Sequence, residues 1–288
     1  MTFSIVAWDP RAAPSAEWGV AVASKFLAVG SVVPWVGAGA GAIATQAYAN
    51  LAYGPEGLER LAGGMSAADV VAALTEADEG RARRQVGVVD ARGGAHNFTG
   101  EECFEWAGGT SGEGYCCQGN ILTGPAVVER MAEAFEATDG ELAQRLLAAL
   151  AAGDAAGGDR RGRQSAALVI ARAGGGYGGL ADLAVNLRVD DHGEPVGELR
   201  RLFDLHRLYF PRPGDLEFVP LDSALVAKVR RQLAALGYLS EGDSGEYDDA
   251  FKQALFAYTG TENLEERHTD ERKIETSILG WLDKQTGA

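Results

Sequence analysis

The residues best placed to do chemistry stand at the start of the sequence, where Met1 is followed by Thr2. A small second residue permits an aminopeptidase to remove the methionine, which would give Thr2 a free α-amine beside its hydroxyl. Such a threonine carries a nucleophile and its base in one residue. An α-amine titrates near neutrality, so it can take the proton that an attacking hydroxyl releases. The chemistry implied is attack on a carbonyl, amide hydrolysis above all. Many proteins begin Met-Thr without any such role, so position alone does not decide the matter. Ser4, two residues on, shares a strand face with Thr2.

The densest cluster of chemical groups is the run 157–165, in which Asp159, Arg160, Arg161 and Arg163 alternate with three glycines ahead of Gln164 and Ser165. Glycine allows close backbone approach, and guanidinium forks suit carboxylate or phosphate. No Lys-Ser/Thr pair follows and a strand comes next, so this is not a phosphate loop of the P-loop kind. A solvated basic turn is the plain alternative. Gln118-Gly119-Asn120 precedes a helix, so its backbone amides and the Asn120 amide are candidates for an oxyanion hole, with an ordinary turn as the alternative. Ser24-Lys25 closes another strand-like run. A lysine there would lower the pKa of a neighbouring α-amine, unless it is simply solvated. Cys103, Cys116 and Cys117 have neither a disulfide pattern nor metal-ligand spacing with the four histidines, and read as small buried hydrophobes. No metal and no cofactor is implied.

The elements that must position these groups can be read from periodicity. Strand-like runs cover Phe3–Trp8, Gly19–Ser24, Gly41–Ala47, Gln85–Asp90, Tyr115–Asn120, Ser165–Arg172 and Ala184–Val189. Helical stripes begin at a Ser66 cap, at Pro125, at Leu142 (ending at Gly153) and at Glu194. The order is not strictly βαβ, so layered α+β packing around largely antiparallel sheet is expected. Pro211-Arg212-Pro213-Gly214 interrupts the last helix. Three short helical stripes follow, around Val229, Leu255 and Ile278. The formal charge of −15 is spread over both parts, which argues against nucleic acid and anionic membranes as partners. No apolar run reaches membrane-spanning length and no signal precedes Phe3, so a cytoplasmic protein is expected.

Thr2 to Ala7, Gly19 to Phe26, Ala44-Thr45-Gln46, Gln118-Gly119-Asn120 and Gly157 to Ala167 together resemble one bacterial family, the domain-of-unknown-function family numbered 1028. The resemblance covers about the first 210 residues, and its most specific piece is the 157–167 segment. It implies a four-layer αββα sandwich like that of the N-terminal-nucleophile (Ntn) hydrolases over 1–210, with Thr2 at the catalytic end of the first strand. Lys25, Asn120 and Asp159 would then surround the nucleophile. Ser4, Ser24, Arg160, Arg161, Arg163, Gln164 and Ser165 would meet a small amide or peptide-like substrate, the arginines holding its anionic group; a non-catalytic ligand-binding or scaffold protein on the same fold is the alternative. Val229, Leu233, Leu236-Gly237-Tyr238, Ala254-Leu255 and Tyr258 resemble a peptidoglycan-binding-like helical module, expected at 222–288 after a linker at 211–221. The tail departs from that pattern at Ser244-Gly245 and Phe251. Without an export signal, peptidoglycan is not the expected partner, and a packing role or assembly as a homo-oligomer is the alternative.

Overall fold

A computed structural model describes residues 2–212, 214–240 and 246–287; Met1, Pro213 and the Ser244-Gly245 pair lie outside the described residues. The chain forms two compact units, 1–201 and 202–288. The first contains β1 (Thr2–Asp9), β2 (Glu17–Ser24), β3 (Pro34–Gly37), β4 (Gly41–Ala47), α1 (Tyr53–Ala62), α2 (Ala67–Glu76), β5 (Arg84–Asp90), β6 (Ala95–Thr99), β7 (Gly108–Gly112), β8 (Tyr115–Asn120), α3 (Ala126–Ala137), α4 (Leu142–Ala155), β9 (Ser165–Ala171) and β10 (Leu183–Val189), and it ends within α5 (Pro195–Tyr209).

Two antiparallel sheets lie face to face. One runs β10-β9-β2-β1-β8-β7 and the other β3-β4-β5-β6. The apolar parity of their central strands explains the stacking. Val6, Val20, Val22, Ala42, Ala44, Val89 and Cys116 meet between the sheets. The opposite face of the second sheet, with Ile43, Val86 and Val88, is covered by Tyr53, Leu61, Val70 and Leu74 from α1 and α2. α3 and α4 cover the first sheet so closely that a Cβ at Gly19 would lie 2.7 Å from Leu146 Cδ1. This is the four-layer αββα sandwich.

Sequence periodicity misses β3, β6, β7 and α1, for physical reasons. Ala95–Thr99 and Gly108–Gly112 are half-exposed strands at sheet edges, without apolar alternation. α1 opens Tyr-Gly-Pro and contains a further glycine, which reads as a turn. Pro55 falls in the first turn, where no intrahelical N–H is needed. Both glycines are needed for contact: a Cβ at Gly54 would lie 2.2 Å from Trp35 and one at Gly57 2.4 Å from Ile43. α4 also continues two residues past Gly153, whose bare Cα lets the helix lie on Phe3 and Met131.

The second unit holds the end of α5, a ribbon of β11 (Phe218–Pro220) with β12 (Lys273–Glu275), and helices α6 (Ser223–Ala235), α7 (Asp249–Thr261) and α8 (Thr276–Thr286). Its core takes Val226, Val229, Leu233, Phe251, Leu255, Tyr258 and Ile278 from the expected helical stripes, and Ile274 from strand β12 rather than from a helix. The stretch 211–221, expected as a linker, contributes β11 and buried Leu221 to this core. Arg267 and Glu275, both buried, pair at 2.8 Å. Among the described residues no helix is long and apolar enough to cross a membrane.

Two outcomes follow from this packing. Gly87 faces the side chain of Gln118, and a Cβ there would lie 2.2 Å from Gln118 Oε1. Gly87→Ala should displace that amide and lower stability by about 1–3 kcal/mol, measurable by urea unfolding. Asp78 accepts from Arg84 Nε at 2.8 Å, Tyr53 Oη at 2.9 Å and Asn50 Nδ2 at 3.2 Å. The Arg84 hydrogen bond, foremost, holds this carboxyl well below the usual carboxylate range. A depressed folded-state pKa contributes stability that is present above the unfolded value, about 3.9, and is lost as pH falls. Asp78→Asn should therefore lower stability at pH 7 and flatten its decline between pH 5 and 2, read from unfolding curves across that range.

Candidate active site

Three elements converge at one end of the sandwich: the start of β1, the end of β2 and the end of β8. The strand register aligns Thr2 with Asn120 and Ser24 with Ser165. Thr2 Oγ1 donates to Ser24 Oγ at 3.2 Å. Ser165, Ser24, Thr2 and Asn120 therefore form one row of buried polar side chains across four adjacent strands, β9-β2-β1-β8. Behind this row lies a chain of amides between the sheets. Gln118 Nε2 donates to Ser4 Oγ at 2.7 Å, and Ser4 Oγ donates to Gln46 Oε1 at 2.7 Å. Gln46 Nε2 and Asn120 Nδ2 both donate to Gln85 Oε1, at 2.8 and 2.9 Å. Gln85 Nε2 in turn donates to Gly119 O and Thr99 Oγ1. Ser4 thus lies in the network behind the row, and Asn120 joins the row to it.

The remaining predicted residues gather nearby, most of them already engaged. Asp159, buried, accepts from the Lys25 N–H at 2.9 Å, from the Arg161 N–H at 3.0 Å and from the Arg161 guanidinium at 2.9 and 3.1 Å. Its carboxylate folds the 157–163 loop onto the end of β2. Lys25 Nζ donates to Arg163 O at 3.2 Å and closes the same loop. Arg163 pairs with Asp154 and Glu194, each at 2.8 Å, and the Asp154 hydrogen bond pushes its pKa up. Ser165 Oγ donates to Phe26 O and accepts from the Val29 N–H, pinning the turn after β2. Gln164 Nε2 reaches Asp191 at 3.1 Å. Arg160 is exposed and has no acidic partner among the described residues; its N–H donates to Ile121 O. The backbone of Gln118 and Gly119 lies within the sheet ladders, between β1 and β7, rather than in a turn.

A cavity of about 440 Å³ opens beside this end, lined by Phe3, Ser24, Asp154, Asp159, Arg163 and Pro195 among others. Ser24 belongs to both the row and the cavity wall. Backbone strain also concentrates here. Ala28 after β2, Ala47 at the last position of β4 and Ile121 after β8 have φ of 53°, 69° and 51°. A left-handed conformation costs a non-glycine residue about 1–3 kcal/mol, and most for one that is β-branched.

Sequence reasoning missed the role of Gln85 and the joint role of Gln46 and Gln118. The signal was available: each is a glutamine at an inward-facing position of an otherwise apolar strand. Cys116 and Cys117 point to opposite faces of β8, and burial pushes the Cys116 thiol up to about 12 and Cys117 well above its ordinary value. Neither is suited to act as a nucleophile.

Residues 2–199 match the family described as "Family of unknown function (DUF1028)". Residues 209–282 match a second family, described as "Putative peptidoglycan binding domain". The chain is similar to the crystal structure of protein SPO2555 from Silicibacter pomeroyi, a DUF1028 protein. The TM-score is 0.64 and the identity 35%, covering 72% of this chain and 89% of that one. No curated protein matches. The αββα unit that carries the polar row is thus a member of the DUF1028 family, and a peptidoglycan-binding-like domain follows it in the chain.

Proposed function

We propose that the first unit is an amide hydrolase of the Ntn type, acting on a small amide or peptide-like substrate. The observation that carries this reading is the row Ser24–Thr2–Asn120, which sets a threonine hydroxyl between a second hydroxyl and a side-chain amide at the strained end of the sandwich. With Met1 removed, Thr2 Oγ1 attacks the carbonyl carbon and its proton passes to the Thr2 α-amine. The carbonyl oxygen gains charge and needs a donor. Asn120 Nδ2 gives one N–H to Gln85, and its second N–H is available for that oxygen. The α-ammonium then returns its proton to the leaving amine, and water hydrolyses the acyl ester on Thr2. Ser24 positions the nucleophile. Asp159, Lys25, Arg161 and Arg163 shape the loop beside the site, and Arg160 is left to hold an anionic group of the substrate.

A second reading, binding of cell-wall glycan through 222–288, is favoured by the family match over 209–282. It is compatible with the first, since it concerns the other unit.

The test compares hydrolysis of a panel of small amides by the wild type, Thr2→Ala and Thr2→Ser, after intact mass has established whether Met1 is absent. Thr2→Ala should lower kcat/KM at least about a hundredfold, with Thr2→Ser retaining turnover. Undiminished hydrolysis by Thr2→Ala would reject Thr2 as the nucleophile, and full retention of Met1 would remove the proposed base.

A further inference from the structure

Several large apolar side chains that are half or more exposed lie around the polar row: Phe26 (52%), Leu27 (60%), Tyr48 (54%), Leu51 (50%) and Phe104 (57%). Phe26 and Leu27 follow the end of β2, and Tyr48 and Leu51 follow the end of β4. Phe104 is adjacent to the end of β8, its carbonyl accepting from the Ile121 N–H. The backbone beneath Phe26 and Tyr48 is fixed, and the Tyr48 and Phe104 rings are also held by side-chain contacts. The Tyr48 carbonyl accepts from Arg84 Nη1 at 2.5 Å, and its N–H donates to Arg83 O at 3.2 Å. The Arg83 guanidinium lies 5.5 Å from the Tyr48 ring centroid, and the Phe104 ring 6.2 Å from it. The Phe26–Val29 turn is fixed through Ser165, and the Ala28 N–H donates to Asp190 O.

Holding apolar groups rigidly in water costs both hydration and ordering free energy. Exposed apolar side chains beside convergent polar groups are the usual character of a ligand site, and Tyr48 and Phe104 lie side by side here. Exposed Arg160 is anchored at the same end, because its N–H donates to Ile121 O at 3.0 Å and the Ile121 N–H donates to Phe104 O at 3.0 Å. We infer that the rim is a subsite for an apolar acyl group and that Arg160 receives a carboxylate, so that the ligand class is N-acyl amino acids with an aromatic or branched aliphatic acyl group. This rests on the hydrolase reading for the placement of the amide over Thr2.

Binding is separable from turnover, so the test uses full-length Thr2→Ala and isothermal titration. The probes are N-(3-phenylpropanoyl)glycine, N-acetylglycine and N-(3-phenylpropanoyl)glycinamide. The phenylpropanoyl acid should bind about tenfold or more tighter than the acetyl acid. That advantage should vanish in a Tyr48→Ser/Phe104→Ser variant whose melting temperature is unchanged. The glycinamide should bind several-fold more weakly than the acid, and Arg160→Gln should abolish only this difference. Equal affinity for the two acids overturns the apolar subsite, and equal affinity for acid and glycinamide overturns the role of Arg160. A preserved acyl preference with no hydrolysis by the wild type would reject the hydrolase reading and leave the subsite standing.

Discussion

The structure of the first unit depends on the hydrogen-bonded chain that runs from Gln118 through Ser4 and Gln46 to Gln85 and Asn120. Two interlocked apolar sheet faces are held by shape alone, whereas two faces joined by buried amides also have directional bonds to keep. Any shift would leave a donor or acceptor unmade in a dry interior, at about 1–3 kcal/mol for each. The chain links β8, β1, β4 and β5, so it fixes both the register within each sheet and the alignment between them. Gly87 belongs to the same device: only a residue without a side chain leaves room for the Gln118 amide. Directional hydrogen bonds thus provide specificity where the valine and alanine layer provides cohesion.

That alignment decides what stands at the end of the sandwich. Because Asn120 is anchored on Gln85, its amide is held beside Thr2, its register partner in β1. The chain passes through a left-handed non-glycine residue at or just after the ends of β2, β4 and β8, and each of these places carries or adjoins an exposed aromatic side chain. Strain of this kind persists only where the surroundings over-determine it. Here the surroundings are Ser165 under the Phe26 turn, the Arg83, Arg84 and Asp78 group under Tyr48, and the Phe104 carbonyl on Ile121. The 157–163 loop follows the same logic. Asp159 pairs with Arg161 within it, Arg163 pairs with Asp154 and Glu194 outside it, and these paired charges make the loop a wall.

Much of this was legible in the sequence. Continuous apolar runs such as those of β2 and β9 identify central strands, and the Ser66 cap and the leucine stripe identify helices, because burial imposes the period directly. The four layers and the family followed from motifs such as 157–167. Edge strands β6 and β7 were illegible because a half-exposed strand needs no apolar alternation. α1 was hidden because the glycines that let it approach Trp35 and Ile43 are themselves turn residues in sequence. The arginines could be counted but not sorted. Which of them meets an acid depends on Asp154, Asp159 and Glu194 being brought together by folding. The glutamine chain was invisible as a unit, since its members are scattered between positions 46 and 118.

The central claim is that folding makes the Thr2 hydroxyl a nucleophile. The measurement that addresses it without knowledge of the substrate is acylation by a β-lactone, which an activated hydroxyl opens to form an ester. The folded protein with Met1 absent should gain one acyl group, mapped by peptide mass spectrometry to Thr2, and the urea-denatured protein none. An unmodified folded protein, or an adduct on Ser24 or another hydroxyl instead, would contradict the account.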